Sequence, residues 1–150
     1  MKRRSAVIFG ILTILLLCFI WGQSLLPQDK SAGESRFVMQ FLKPLLDPSD
    51  RIDAELFHHL LRKTAHFTEY AALGLCACGL SCSFPWKRRA ACAAAPILLC
   101  AIAAAADETI QLFSAGRGPQ VRDVLLDCGG ALFGIAIYAL LLRLKRRRSG

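Results

Sequence analysis

The sequence predicts an all-α fold: a polytopic membrane protein with four transmembrane helices, both termini cytoplasmic, and an amphipathic outer segment between helices 1 and 2. Three observations predict it. The chain of 150 residues is 55% hydrophobic and only 20% charged, and its apolar residues are gathered into long blocks, which one soluble core would not require. Four stretches, 5–28, 70–86, 90–106 and 128–142, contain no Asp, Glu, Lys, Arg or His. The charged residues then divide by sign among the segments that join those stretches, and that division gives an orientation.

The elements follow in order within a single domain spanning 1–150. Lys2, Arg3 and Arg4 give the first helix, about 5–23, a basic start of the kind a signal peptide has. No small-x-small cleavage site follows Trp21, however, and the apolar run is long for a signal core, so the helix is read as retained. In the long connection from Ser24 to Leu61, Phe37, Val38, Phe41, Leu42, Leu45 and Leu46 recur at helical spacing until Asp47-Pro48 stops them. That pattern predicts a short amphipathic helix on the outer leaflet. Ser49 or Asp50 is positioned to cap a further helix, with Ile52, Leu56, Leu60 and Leu61 as its apolar face, leading into the second span. His58 and His59 are read as interfacial side chains. The second and third spans are placed at about 66–85 and 89–109, with Pro96 interrupting the hydrogen-bond ladder of the latter. A Gly/Pro-rich connector, "FSAGRGPQVR", must turn tightly before the fourth span at about 124–143.

Charge fixes which side is which. Lys2, Arg3 and Arg4, then Lys87, Arg88 and Arg89, then Arg143, Lys145, Arg146, Arg147 and Arg148 form three segments without one acid. All eleven acids lie in 24–69 and 107–127. Positive residues stay cytoplasmic in short loops, so both termini are inside. The net charge of +8 is thereby a topology signal, not a nucleic-acid arm; no nucleic acid is expected as a partner, and the basic tail can touch anionic lipid. The seven cysteines, Cys18, Cys76, Cys78, Cys82, Cys92, Cys100 and Cys128, all fall within spans, and Cys76-x-Cys78-x-x-x-Cys82 lacks zinc-site spacing. They read as small buried apolar residues.

Crossing a bilayer takes about 20 residues, and the last three uncharged runs are shorter than that. Counting outward from the cytoplasmic ends therefore brings ionisable groups of three helices to one outer boundary: His66 and Glu69, Asp107 and Glu108, Asp123 and Asp127. Such groups in membrane helices face the bundle interior, pair with one another and mark function. At 100° per residue, Arg62, Lys63, His66, Glu69 and Tyr70 share a stripe about 120° wide, and Asp107, Glu108 and Gln111 an arc of about 100°. Asp123, Asp127, Gly130 and Gly134 align within about 60°, so a small-x-x-x-small packing face carries both aspartates. Arg117, between Gly116 and Gly118, can fork onto a carboxylate or phosphate, or pair structurally with Asp107 or Glu108. His66, Glu69, Glu108, Arg117 and Asp123 are expected to lie within pairing distance. With basic residues so near, neither a metal nor any other cofactor is expected.

These motifs carry a resemblance. "RKTAHFTEY" at 62–70, followed by "DETIQLFSAGRGPQVRDVLLDCGGALFG", resembles the VanZ-like family of small bacterial membrane proteins over about Arg62 to Gly134. The family's Arg-Lys-x-x-His-Phe-x-Glu-Tyr falls on Arg62 to Tyr70, its Asp-Glu-x-x-Gln-x-Phe on Asp107 to Phe113, its Gly-Arg on Gly116-Arg117, and its Asp-Val on Asp123-Val124. Ala115 stands where a proline usually precedes Gly-Arg, and Asp127 where the family usually has asparagine. The resemblance implies a place of action at the cell envelope and a link to teicoplanin resistance. Three function classes fit: binding or modifying a membrane lipid or lipid-linked cell-wall precursor at the outer face, a scaffold whose polar knot locks the bundle, and a small proton-coupled carrier. The carrier is disfavoured, because no ladder of ionisable residues reaches the inner face. A lipid-phosphate phosphatase would be the natural enzyme analogue, but its serine–histidine and paired-arginine motifs are missing.

Overall fold

A computed structural model describes residues 2–115 and 120–148. The described residues form five helices and no strand: α1 (Lys2–Leu25), α2 (Gln28–Leu46), α3 (Ala54–Cys82), α4 (Arg89–Gln111) and α5 (Val121–Arg148). Three of them, α1, α4 and α5, are long and apolar enough to cross a membrane. The expected second span, α3, is not among these, because its middle turns hold His66, Thr68, Glu69 and Tyr70.

The distribution of side chains is that of a protein with an apolar exterior. Val7, Ile8, Ile11, Ile14 and Leu15 of α1, Ile97, Leu98 and Ile102 of α4, and Leu125, Leu132 and Phe133 of α5 all face outward. Asp107, Glu108, Gln111 and Asp127 are buried. Buried polar groups beside exposed apolar faces invert the soluble pattern, and a hydrocarbon solvent accounts for both at once.

α3 is the central element and packs most extensively on α5. Glycines make that contact close. A methyl group added at Gly130 would meet the backbone of Phe67, one at Gly134 the backbone of Ala71, and one at Gly74 the backbone of Ala131. Residue numbers rise together from Lys63–Asp123 through Phe67–Gly130 to Ala71–Gly134, so α3 and α5 run parallel. α1 and α4 complete the bundle, with Ile20, Tyr70, Leu73, Ala77, Cys100, Ala103, Ala104 and Ala131 forming the core. Trp21 donates its indole N–H to the Ala103 carbonyl at 3.3 Å. Contacts also fix the two ends. Phe9 stacks edge-on against Tyr138 and lies beside Gly79 near the basic end, whereas Lys63 of α3 meets Asp123 at the start of α5 at the acidic end.

Several boundaries differ from those read in the sequence. The amphipathic helix α2 begins at Gln28, well before Phe37, and exposes Phe37, Val38, Phe41, Leu45 and Leu46 as one apolar face. The helix after it is capped by neither Ser49 nor Asp50. Asp53 is the cap, accepting from the N–H groups of Glu55 at 3.0 Å and Leu56 at 3.3 Å. From there α3 runs unbroken to Cys82, so the short helix and the second span are one element. Asp47 ends α2 and organises the turn, accepting from Ile52 N–H at 2.7 Å and Arg51 N–H at 3.1 Å. Lys43 pairs with Asp50 alongside it. Of the cysteines, only Cys76, Cys78 and Cys100 are buried; Cys18 and Cys82 are exposed, and Cys92 and Cys128 are half-buried. All seven are free thiols. Pro96 lies inside α4 and is fully buried.

Candidate functional site

The α3–α5 seam determines how the polar end is assembled. Parallel packing with Phe67 against Gly130 sets the preceding turns side by side, and their short and long polar side chains meet. Lys63 donates to Asp123 at 2.7 Å, bridging the two helices at the rim with side chains about one-third exposed. One turn deeper, His66 Nδ1 lies 3.9 Å from Asp127 Oδ1, which is charge-pair range and beyond hydrogen-bond range. The Asp127 side chain is only 1% exposed. Among the described residues neither of its oxygens has a hydrogen-bond partner.

α4 contributes from the third side. Asp107 is fully buried and accepts from Gln111 Nε2 at 3.1 Å, an i,i+4 contact that orients the carboxylate. Glu108 accepts the backbone N–H of Gln120 at 2.8 Å and so ties the end of α4 to the start of α5. His66, Asp107 and Asp127 each present one ligand-type atom, and the three atoms lie within 4.8 Å of one another. Tyr70 is fully buried one turn below His66, and its hydroxyl has no partner among the described residues.

Most of the stripe predicted on α3 is therefore brought together, but not all. Lys63, His66 and Tyr70 turn inward. Glu69 is half-buried within electrostatic range of Asp107, and among the described residues no hydrogen bond or ion pair joins it to His66, Glu108 or Asp123 as expected. It is shifted sideways because 100° per residue separates it from the inward face that His66 and Tyr70 share. Arg62 is half-buried and joins no ion pair among the described residues. Arg117, with its expected partnership to Asp107 or Glu108, lies outside the described residues. Asp123 pairs with Lys63, not with an acid–base partner of the deeper cluster, so Lys63 does not neutralise Asp127.

Two serines at this end escaped the sequence reading. Ser24 of α1 is fully buried; its carbonyl accepts from Ser114 Oγ at 2.6 Å, and Gln111 Nε2 lies 3.4 Å from its hydroxyl. Its position at the C-terminal end of the first apolar run was the available clue. His58 likewise has a buried Nε2 without a partner among the described residues.

The family model VanZ/LLP1 matches residues 9–142. Neither a curated protein nor a solved structure matches the chain. The chain belongs to the VanZ/LLP1 family, and its apolar helices make it a membrane protein.

Proposed function

We propose that this VanZ/LLP1 chain crosses the cytoplasmic membrane four times with both termini inside, and that its polar end faces outward to bind the phosphate-bearing headgroup of a membrane lipid or lipid-linked cell-wall precursor. The observation that carries this reading is the joining of a half-buried histidine and buried carboxylates from three helices at the end opposite the purely basic segments. Buried ionisable groups in a membrane bundle are costly and persist where they serve a ligand or proton path. On this reading α3 makes the second crossing, its polar turns shielded by α4 and α5. The amphipathic α2 lies on the outer leaflet through Phe37, Phe41 and Leu45.

The chemistry follows from the gradient of exposure. Lys63 stands at the rim and Arg62 beside it, both half-buried, and Arg117 belongs to the adjoining connector. Such cations grip a phosphate, while the deeper Glu69, Glu108, Asp127 and His66 offer proton acceptors and donors. Occupation of such a site on a lipid-linked precursor would alter access of glycopeptides to it, which is the proposed link to teicoplanin resistance.

A scaffold role is the second reading, favoured by the Lys63–Asp123 bridge and by Glu108 capping Gln120. Glu69→Gln and Glu108→Gln separate the two. Glu69 has no ion-pair partner among the described residues to orphan, and glutamine at 108 keeps an oxygen that can accept from Gln120. Both variants are expected to accumulate in the membrane at near-normal level and to lose reduced susceptibility to a lipid-anchored glycopeptide. If both accumulate and keep a phenotype that the deletion strain lacks, the polar end is not the working site. If both vanish from the membrane, the scaffold reading prevails.

A further inference from the structure

His66, Asp107 and Asp127 bring three ligand-type atoms from α3, α4 and α5 within 4.8 Å of one another. Asp127 is 1% exposed, and among the described residues neither oxygen receives a hydrogen bond. Among the described residues the basic group paired with it is His66, at 3.9 Å. Lys63, on the same stripe of α3, is committed to Asp123. A second carboxylate, Asp107, approaches from α4, so that two acids share one buried space. Like charges so placed oppose joint ionisation, and an uncompensated buried carboxylate is strongly disfavoured. The Tyr70 hydroxyl, buried one turn below His66 and without a partner among the described residues, adds a further polar atom to the same space.

We propose that His66, Asp107 and Asp127 together bind one divalent first-row transition ion, of the Mn²⁺ or Zn²⁺ class, between α3, α4 and α5. Three donors within 4.8 Å of one another need only a small closure. Bonds of about 2.0–2.2 Å put two ligands of one ion no more than about 4.4 Å apart. One imidazole and two carboxylates form a mixed N/O set, which suits Mn²⁺, Fe²⁺ or Zn²⁺ and not a thiol-seeking ion. The hydrogen bond from Gln111 to Asp107 is the outer support that metal-binding carboxylates characteristically have. Two carboxylates with a neutral His66 match a doubly positive ion in charge. Three protein ligands leave a coordination position for water or for an oxygen of a bound headgroup. The inference rests on the donor set alone, and its test uses no substrate lipid.

The full chain is purified in a non-ionic maltoside detergent, stripped with EDTA and equilibrated with Mn²⁺, which the free thiols capture less readily than Zn²⁺. One Mn²⁺ per chain is expected by elemental analysis, with ¹⁴N coupling from imidazole in its electron paramagnetic resonance. Asp127→Asn and His66→Gln should each weaken binding at least about tenfold, the loss typical of even outer-shell changes. Glu55→Gln, an exposed acid near Arg36, should leave it unchanged. Absence of Mn²⁺ from the wild-type chain overturns the proposal, as does equal uptake by properly helical Asp127→Asn and His66→Gln. If those variants fail to fold, the wild-type chain decides. A thermal midpoint that rises with Mn²⁺, together with the ¹⁴N coupling, supports the site; lack of either refutes it. A chain that binds no Mn²⁺ yet loses its envelope phenotype in Glu108→Gln would sink the metal inference while sparing the headgroup reading.

Discussion

Replacing Gly130 with alanine tests whether the glycine seam holds the polar end together. A methyl at Gly130 would sit 3.1 Å from the carbonyl carbon of Phe67 and 3.2 Å from its Cα, and nearer still to its oxygen. Carbon atoms rest at about 3.5–4.0 Å, and these are backbone atoms, so no rotamer change can relieve the overlap. The helices must move apart. Overpacking of this kind costs about 1–3 kcal/mol, while alanine in a helix interior gains about 1 kcal/mol over glycine. Gly129→Ala isolates the steric part: its methyl would meet only Phe67 Cε2, at 3.9 Å, an ordinary contact. Subtracting one variant from the other cancels helix propensity and leaves about 1–3 kcal/mol. At about 2–4 °C per kcal/mol for a chain of this size, Gly130→Ala should melt about 2–12 °C below Gly129→Ala. A thiol-reactive dye in detergent reads the transition, since Cys76, Cys78 and Cys100 are buried until the bundle opens. Equal midpoints for the two variants would refute the seam.

Two further predictions address the termini and the connecting turn. Reporter fusions after Arg89 and after Arg148 should be active in the cytoplasm and one after Gly118 outside; a cytoplasmic Gly118 fusion would overturn the four-span topology. At the α2–α3 turn, the N–H groups of Ile52 and Arg51 hold the Asp47 carboxyl below its ordinary value of 3.8. A depressed folded pKa stabilises above the unfolded value and is lost as pH falls through the folded one, so amide protection at Ile52 and Arg51 should persist above 3.8 and fade below it. Protection that Asp47→Asn leaves intact at neutral pH would show that the carboxylate does not organise this turn.

The readable parts of this fold were those governed by hydropathy and helical period. The apolar runs located α1, α4 and α5, and Asp47-Pro48 marked the end of α2. α3 was harder to delimit because its apolar stripe from Leu56 to Leu61 and its span share one uninterrupted helix, with no glycine or proline between Ala54 and Leu73. Angular arithmetic placed Lys63, His66, Tyr70 and Glu69 on one stripe, yet a stripe about 120° wide exceeds what the neighbouring helices cover, and Glu69 is the member left at its edge. Partner choice was not legible either. Gly130-x-x-x-Gly134 announced a close contact without naming α3 as the helix it admits. Ser24 and Ser114 went unnoticed because a serine in or beside an apolar run reads as a tolerated passenger, whereas its value here comes from the level at which α1 and α4 meet.

The parallel register of α3 and α5 ties these observations into one device. Lys63 faces Asp123, His66 faces Asp127, Phe67 abuts Gly130 and Ala71 abuts Gly134. Helices packed through ordinary side chains lie about 8–10 Å apart, a separation across which an aspartate, with its single methylene, reaches little. Glycines remove the intervening side chains, so Asp127 can approach His66 and the Asp107 carboxylate from α4. The seam thus sets the reach of the shortest acidic side chain in the cluster. A substitution at Gly130 or Gly134 should therefore disturb the cluster even where the bundle survives, and a rescue that restores melting without restoring the close approach should not restore the site.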